Sequence, residues 1–380
     1  NYEVKSFNNE IARLGGDEFT LFLSHIESPN EASAVTQRII DSLSRPIKID
    51  HYELTVTPSI GIAMYPDNGT TVSELMKHAD IAMYEAKEGG RRTFKFYSNS
   101  LNDRALERLQ LEEQMRTAVA EQQFTLFYQP QVDLQSNKVT KAEALVRWIH
   151  PELGFVSPGD FIPIAEESGL IIELGDWILN TACMQAKEWL DRGLDNCRVS
   201  VNVSSVQFKQ TALVEKVKSA LLNSGLPPHL LELEVTESAV MSDVEDNIER
   251  LQQLKNMGIT VAVDDFGTGY SSLSYLKRFP IDTLKIDRSF VDDIATDEND
   301  EAIVKAIMVL AETMGLKVVA EGIETIEQLK ILNEFGCQHI QGFFFSKPLP
   351  HEDFISYVQR DFYAEKAMWK LEVIGNKQPA

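Results

Sequence analysis

The chain is poor in cysteine, poor in positive charge relative to negative, and has no long apolar run. Its only cysteines, Cys183, Cys197 and Cys337, are scattered and odd in number. They supply neither a disulfide framework nor a thiolate metal site, and they point to a reducing compartment. Lys and Arg number 36 against 58 Asp and Glu, a net charge of -22. A duplex-binding surface needs clustered cations, so duplex nucleic acid is not an expected partner. An anionic substrate stays open, because bound divalent cations can invert a local field. No stretch reaches the ~20 apolar residues that span a bilayer, and no signal peptide opens the sequence. The expectation is a cytoplasmic protein, with any inner-membrane anchor of a parent chain placed upstream of residue 1. What is present, 43% hydrophobic residues over 380 positions, suffices for two domains, one of them a barrel of about 250 residues.

The rest of the chain is organised around Thr260-Val261-Ala262-Val263-Asp264-Asp265-Phe266-Gly267-Thr268-Gly269. A β-branched apolar run of this kind predicts a strand buried on both faces of a parallel sheet. Neighbours on an extended chain point to opposite sides, so the two aspartates need a bend to act together, and the glycines that follow permit one. Two carboxylates there repel unless one is protonated or a cation lies between them. Taken alone, an Asp-Asp pair is more simply a helix cap and loop.

In chain order, residues 11–23, with Gly15-Gly16-Asp17-Glu18-Phe19 at their centre, predict a hairpin. A helical pattern through Ala32, Val35, Ile39, Ile40 and Leu43 follows. Then come a strand over 54–63, a helix over 72–87 stopped by Gly89-Gly90, and a strand over 93–97. Residues 98–122 are charged, lack Gly and Pro, and read as a connecting helix with a broken apolar stripe (Leu106, Leu109, Met115, Val119). From Phe124 strand and helix alternate. Strands are predicted over 124–128, 142–148, 198–203, 231–235, 260–263, 283–286, 317–320 and 339–345. Helices include 177–192, 213–224, 244–257, 301–314 and 326–335. The domain plan is therefore a partial α/β domain (1–97), a connecting helix (98–122), a barrel (123–361) and a tail (362–380). The fold class is α/β, a TIM-like (β/α)8 barrel behind a partial α/β domain. A doubly wound open sheet is the alternative, since periodicity does not reveal strand order.

A barrel keeps its chemistry at the carboxyl ends of its strands. Standing there are Glu143, Asn202, Glu234 and Glu237, Asp264 and Asp265, Lys285 and Asp287, Glu321 and Glu324, and Gln341. Each alone is an ordinary cap or loop residue. Acids from five strand ends converging together require cations, and an all-oxygen donor set favours Mg²⁺ or Mn²⁺ over Zn²⁺. The set is large enough for two ions sharing a carboxylate, an arrangement suited to phosphoryl displacement.

Two resemblances follow from these motifs. Gly15-Gly16-Asp17-Glu18-Phe19, with Ser59-Ile60-Gly61-Ile62-Ala63 and the run over 79–87, resembles the GGDEF family, diguanylate cyclases that join two GTP molecules into cyclic di-GMP. The likeness implies GTP contacts at Gly15, Gly16, Asp17 and Glu18. The family's N-terminal half does not appear in this sequence, and its Arg-x-x-Asp product site falls on Ser6 and Asn9. Cyclisation of GTP is therefore not expected of this piece; GTP sensing is, with a structural relic as the competing reading.

Glu143-Ala144-Leu145-Val146-Arg147-Trp148 resembles the signature of the EAL family, phosphodiesterases that open cyclic di-GMP to linear 5′-pGpG. The similarity continues through Val201-Asn202-Val203-Ser204, Glu234-Val235-Thr236-Glu237-Ser238, Asp264 to Gly269, Lys285-Ile286-Asp287, Ala320-Glu321-Gly322-Ile323-Glu324 and Gln341-Gly342-Phe343. It implies a barrel whose first strand is antiparallel to the rest. It implies Glu143, Asn202, Glu234 and Asp264 at one metal, and Asp264 with Asp265 at a second. Glu321 is implied as general base or metal partner, Lys285 as the lysine beside the attacking water, and Glu237 as a brace for the Asp-Asp loop. Gln129, Arg147, Asp287 and Gln341 match substrate contacts, and Phe127, Tyr128 and Phe343 lie near enough in sequence to shape guanine pockets, although core positions are the simpler reading. A homodimer is the expected assembly. The rival readings are a non-catalytic cyclic di-GMP receptor, residual cyclase activity, and a dinucleotide fold hinted at by Gly267-Thr268-Gly269, which is weak because Ser272 takes the third glycine's place.

Overall fold

The computed structural model describes residues 10–359 except 25, 27, 50, 51, 55, 89–91, 122 and 269–272. The tail expected over 362–380, the Gly89-Gly90 stop and Gly269 lie outside the described residues. Contacts divide the chain into two compact units, 1–111 and 112–380.

In the second unit eight strands close a barrel: Phe124–Asp133, Lys138–His150, Arg198–Val203, Leu231–Thr236, Thr260–Phe266, Thr283–Ile286, Lys317–Ala320 and His339–Gln341. From the second to the eighth, neighbours run parallel. The first strand closes the ring antiparallel to both the second and the eighth. Closure removes the open-sheet alternative. The reversal is possible because residues 134–137 form a tight hairpin connection, with Asn137 at positive φ, so no helix has to cross over between the first two strands.

Alternation along these strands sorts the side chains in an unusual way. Outward residues are apolar: Tyr128 and Trp148 are fully buried, with Tyr128 edge-on to Trp189 of the helix Ile171–Asp191 and Trp148 edge-on to Phe161 of the helix Pro158–Ser168. The inward positions, where a barrel of this class ordinarily packs branched apolar groups, hold Gln129 and Gln131, Lys141 and Glu143, Glu232 and Glu234, Thr283 and Lys285, and Gln341, all buried. Helices cover the outside at Leu213–Ser224, Val244–Asn256, Glu298–Met314 and Ile326–Glu334.

Several expected bounds shift: the strands expected over 124–128, 142–148 and 260–263 run longer, and the helix expected from 301 starts at Glu298. The helix expected from 177 starts at Ile171 and carries Gly175 inside it, where a Cβ would strike the Gln207 side chain. The strand expected over 339–345 ends at Gln341, because the next residues bend over the seventh-strand loop. Phe344 N donates to Ile323 O at 2.9 Å, and a Cβ on Gly342 would lie 2.1 Å from that same oxygen.

In the first unit, Glu10–Gly15 and Glu18–Phe22 form the expected hairpin. The single strand expected over 54–63 is two strands. Tyr52–Leu54 pairs antiparallel with Ile47–Ile49, while Ser59–Ile62 pairs parallel with Thr93–Phe96. Pro58, which has no N–H to give a ladder, stands at the break. The helix Val72–Glu88 presses on Ser59–Ile62 so closely that a Cβ on Gly61 would meet Ala79 O at 1.9 Å. The connecting segment is a helix over Asn99–Ala118, with Met115 and Ala118 buried and Leu109 exposed.

Candidate active site

The parallel strands bring their carboxyl ends to one rim of the barrel, and the site is assembled there around Lys285. Its side chain is 1% exposed. The ammonium Nζ lies 2.5 Å from Glu234 Oε2, 2.6 Å from Glu321 Oε1, 3.0 Å from Asp264 Oδ1 and 3.8 Å from Glu143 Oε2. Four carboxylates, three on strands and Glu321 just past the end of the seventh, thus face one ammonium.

Burial and mutual repulsion set the charge states. Burial first, then the charges of Glu143, Asp264 and Glu321, push the Glu234 carboxyl well above the carboxylate range despite Lys285. Burial, opposed by Lys285 and aided by Asp264 and Glu143, lifts Glu321 to about 8. Burial would lower the Lys285 ammonium, but the surrounding carboxylates outweigh it and hold its affinity for the proton well above normal. Glu234 Oε1 is buried without a hydrogen-bond partner. A carboxylate oxygen left dry and unpaired beside three other acids fits a cation in the same place, because one ammonium cannot neutralise the group.

Asp264 ends the straight part of the fifth strand, and the bend that turns the chain falls on Asp265, at φ 53. The sequence placed that bend on the glycines; aspartate tolerates the left-handed region because its short side chain is polar and local. Asp265 N donates to Asp264 Oδ1 at 3.0 Å. Burial, then Asp264 and Asp287, raise the Asp265 carboxyl to about 6. Gly267, at φ 103, gives its N–H to Glu237 Oε2 at 2.9 Å. Glu237 is buried on the short helix Glu237–Met241, after the fourth strand, and meets the Asp-Asp loop at the Gly267 backbone.

On the other side, Glu143 accepts from Asn202 Nδ2 at 2.6 Å and from Gln341 Nε2 at 2.5 Å. Gln341 Nε2 also reaches Gln129 Oε1 at 3.1 Å. The direction of the Gln341 amide is fixed by Gln131, whose Nε2 donates to Gln341 Oε1 at 2.7 Å. Gln131 was not among the residues read from sequence; its signal was Gln129-Pro-Gln131, two glutamines one inward step apart. Arg147, half-buried with its guanidinium held down by burial, lies over the Phe127 ring, 5.7 Å from its centroid. Asp287 caps the short helix Arg288–Asp292, accepting from Ser289 N at 3.1 Å, and borders Asp265.

The structure thus draws Glu143, Asn202, Glu234, Asp264, Lys285, Glu321 and Gln341 into one contact set, with Gln129 and Asp265 one contact further out; Asp287 meets Asp265, and Glu237 meets the Gly267 backbone of the same loop. It separates the aromatics. Tyr128 faces outward and its hydroxyl donates to Gln185 at 2.5 Å, so it belongs to the core and not to a guanine pocket. Phe343 is 47% exposed beneath Lys347. Gly15, Gly16, Asp17 and Glu18 lie on the exposed hairpin turn of the first unit, where Arg13 Nε donates to Gly16 O at 2.9 Å.

Comparison with known proteins identifies two domain families in the chain. The family model of the EAL domain matches residues 112–348, and that of the diguanylate cyclase, GGDEF domain, matches residues 4–93. The bifunctional diguanylate cyclase/cyclic di-GMP phosphodiesterase MucR of Pseudomonas aeruginosa is 45% identical over 348 residues, 92% of this chain and 51% of that protein. The cyclic di-GMP phosphodiesterase NbdA of the same organism is 42% identical over 340 residues, 90% of this chain and 43% of the relative. The chain therefore spans about half the length of the curated relatives it matches. A solved structure described as PaMucR phosphodiesterase, c-di-GMP complex, superposes with a TM-score of 0.63 at 46% identity, over 64% of this chain and 99% of that one.

Proposed function

The chain belongs to the EAL domain family, and from that premise we propose that it hydrolyses cyclic di-GMP to linear 5′-pGpG. The observation that carries the reading is the Lys285 cluster, in which Glu143, Glu234, Asp264 and Glu321 crowd one ammonium and Glu234 Oε1 has no partner. Oxygen donors of this kind fit Mg²⁺ or Mn²⁺. Glu143, Asn202, Glu234 and Asp264 would hold one ion, and Asp264 with Asp265 a second. Bound there, such ions supply neutralisation of the phosphodiester and a more acidic water.

The chain's own residues do the rest. Arg147, Gln129, Gln341 and Asp287 bind and orient the dinucleotide, Arg147 by offering its guanidinium to a phosphate oxygen. Glu321, whose carboxyl burial lifts to about 8, takes the proton of the attacking water in its ionised form. Water adds to phosphorus as the bond to the 3′-oxygen breaks, and Lys285 faces the charge that develops on the phosphate. Glu237 keeps the Asp-Asp loop in place by holding the Gly267 N–H.

The test is incubation of the purified chain with cyclic di-GMP and Mg²⁺ or Mn²⁺, with and without chelator. Metal-dependent linear product is expected. Tight binding without product under saturating metal would instead favour the receptor reading.

We place the GGDEF portion as a GTP-sensing module acting through Gly15, Gly16, Asp17 and Glu18, and the active assembly as a homodimer in the cytoplasm, where GTP is at hand. Three buried free thiols, each pushed up to about 12 by burial, suit a reducing compartment. No helix among the described residues is long and apolar enough to cross a membrane.

A further inference from the structure

At the end of the barrel away from the carboxylate cluster, the strand beginnings surround a cavity of about 210 Å³. Its lining includes Lys141, Arg198, Lys317, His229 and His339, against the single acid Asp133. In a chain with 58 acids to 36 Lys and Arg, that balance is the reverse of the average surface.

The charges are not all spent on one another. Lys141 is buried and ion-paired to the buried Glu232, which Thr260 Oγ1 and Thr283 Oγ1 also approach, at 3.2 and 3.4 Å. Asp133 Oδ1 is taken up by the hairpin turn, accepting from Gln135 N at 2.7 Å and Ser136 N at 3.1 Å. Among the described residues no carboxylate lies within ion-pair distance of Arg198 or of Lys317. The surplus is felt by the histidine between them: burial first, then Lys141 and Lys317, drive the His339 ring down to about 4, against the weaker pull of Asp133 and Glu232.

We propose that this cavity is a second anion site, built for the phosphate group of a small molecule. Arg198 and Lys317 supply the charge, His229 and Thr140 stand on the lining as further donors, and the Lys141–Glu232 pair closes the floor. An oxyanion with several acceptor oxygens matches the planar fork of a guanidinium and the point charge of an ammonium in a partly enclosed space. A carboxylate would engage one of the two cations well; a tetrahedral phosphate presents oxygens to both. The source of the group, inorganic phosphate or a nucleotide 5′-phosphate, is left for the experiment to separate.

The full chain would be titrated in chelator, which silences any metal-dependent binding at the opposite rim, with inorganic phosphate and, separately, with guanosine 5′-monophosphate. Calorimetry gives the affinity, and the His339 C2 proton signal reports location. Saturable binding with a shift of His339 is expected. Arg198→Gln with Lys317→Gln should weaken it by about tenfold or more, since a hydrogen bond to a charged group is lost at each position. Lys218→Gln, a cation on the exposed face of Leu213–Ser224, should leave it unchanged. Tighter binding of the nucleotide would identify that source; equal binding would identify phosphate itself. Neither ligand moving His339 at tens of millimolar, or Lys218→Gln weakening binding as much as the double variant, would overturn the site.

Discussion

Asp264 shares its carboxylate with the Lys285 ammonium and with its neighbour's N–H, and it stands just before the left-handed Asp265. Asp264→Asn preserves the shape and removes the charge. Hydrolysis of cyclic di-GMP should fall by at least about a hundredfold, the loss known even for groups that merely support a ligand. Nucleotide binding should survive in part through Arg147 and Gln341; turnover within a few-fold of normal would remove Asp264 from the metal assignment. Glu237 differs from Glu143 in what it touches. Because Glu237 meets the backbone of Gly267, Glu237→Gln should lower activity by about 10–100-fold with substantial recovery in excess Mg²⁺. Glu143→Gln should resist that recovery, and superimposable metal titrations for the two would erase the difference. His339 bears on stability. Its ring sits at about 4 in the folded chain against an ordinary 6.5, so the unfolded chain takes up the proton first. The contribution is fully present above about 6.5 and is lost as pH falls towards 4. Thermal melts of His339→Gln should therefore lose less than the parent over that window, and parallel melting curves would contradict the assignment.

At the scale of elements, the close passage of Gly342 over Ile323 ties the end of the eighth strand to the loop that carries Glu321. Gly342→Ala would thrust a methyl against backbone atoms that cannot swing away. Overpacking of this kind costs about 1–3 kcal/mol, and displacing Ile323 displaces Glu321 two residues earlier. A lower urea midpoint together with a lower kcat is expected; a normal midpoint would mean that the loop yields freely. This passage also marks where sequence reading stops. The strands Arg198–Val203, Thr283–Ile286 and Lys317–Ala320 were legible to the residue, because short β-branched runs between polar clusters have few other uses. The eighth strand was read four residues too long, since Ile340 to Phe345 is apolar enough to extend and only the backbone contact stops it. The rim acids were legible as strand-end residues. Their gathering on Lys285 was not, because it depends on register between strands far apart in sequence. The inward layer beneath them (Lys141, Glu232, Thr283) was equally hidden, although it repeats the rim pattern two residues earlier on each strand.

For the whole molecule, the two compact units invite a test of coupling. If GTP held by the hairpin at Gly15 to Glu18 biases the barrel, hydrolysis of cyclic di-GMP by the chain should change on GTP addition. The coupling range is about 1–3 kcal/mol, which is between about five- and 150-fold in affinity. Gly16→Val should abolish the response, because Gly16 sits at φ 53, where a β-branched residue is strained. An unchanged rate at GTP levels shown to saturate binding leaves that unit a relic.

The reversed first strand has a mechanical side. Had it run with the others, the polypeptide would arrive at the floor of the barrel, beside Lys141 and Arg198. Running against them, it comes in at the rim, at Gln123, and descends from there. Gln123 is gripped at once by the second strand: its carbonyl accepts from Ile149 N at 2.9 Å, and its side-chain oxygen from Trp148 Nε1 at 3.0 Å. The next residue but one, Thr125, lies opposite Arg147. The start of the first strand is thus fixed to the strand that carries Arg147. The polypeptide enters the barrel at the edge where Lys285 and its carboxylates stand, and not at the floor.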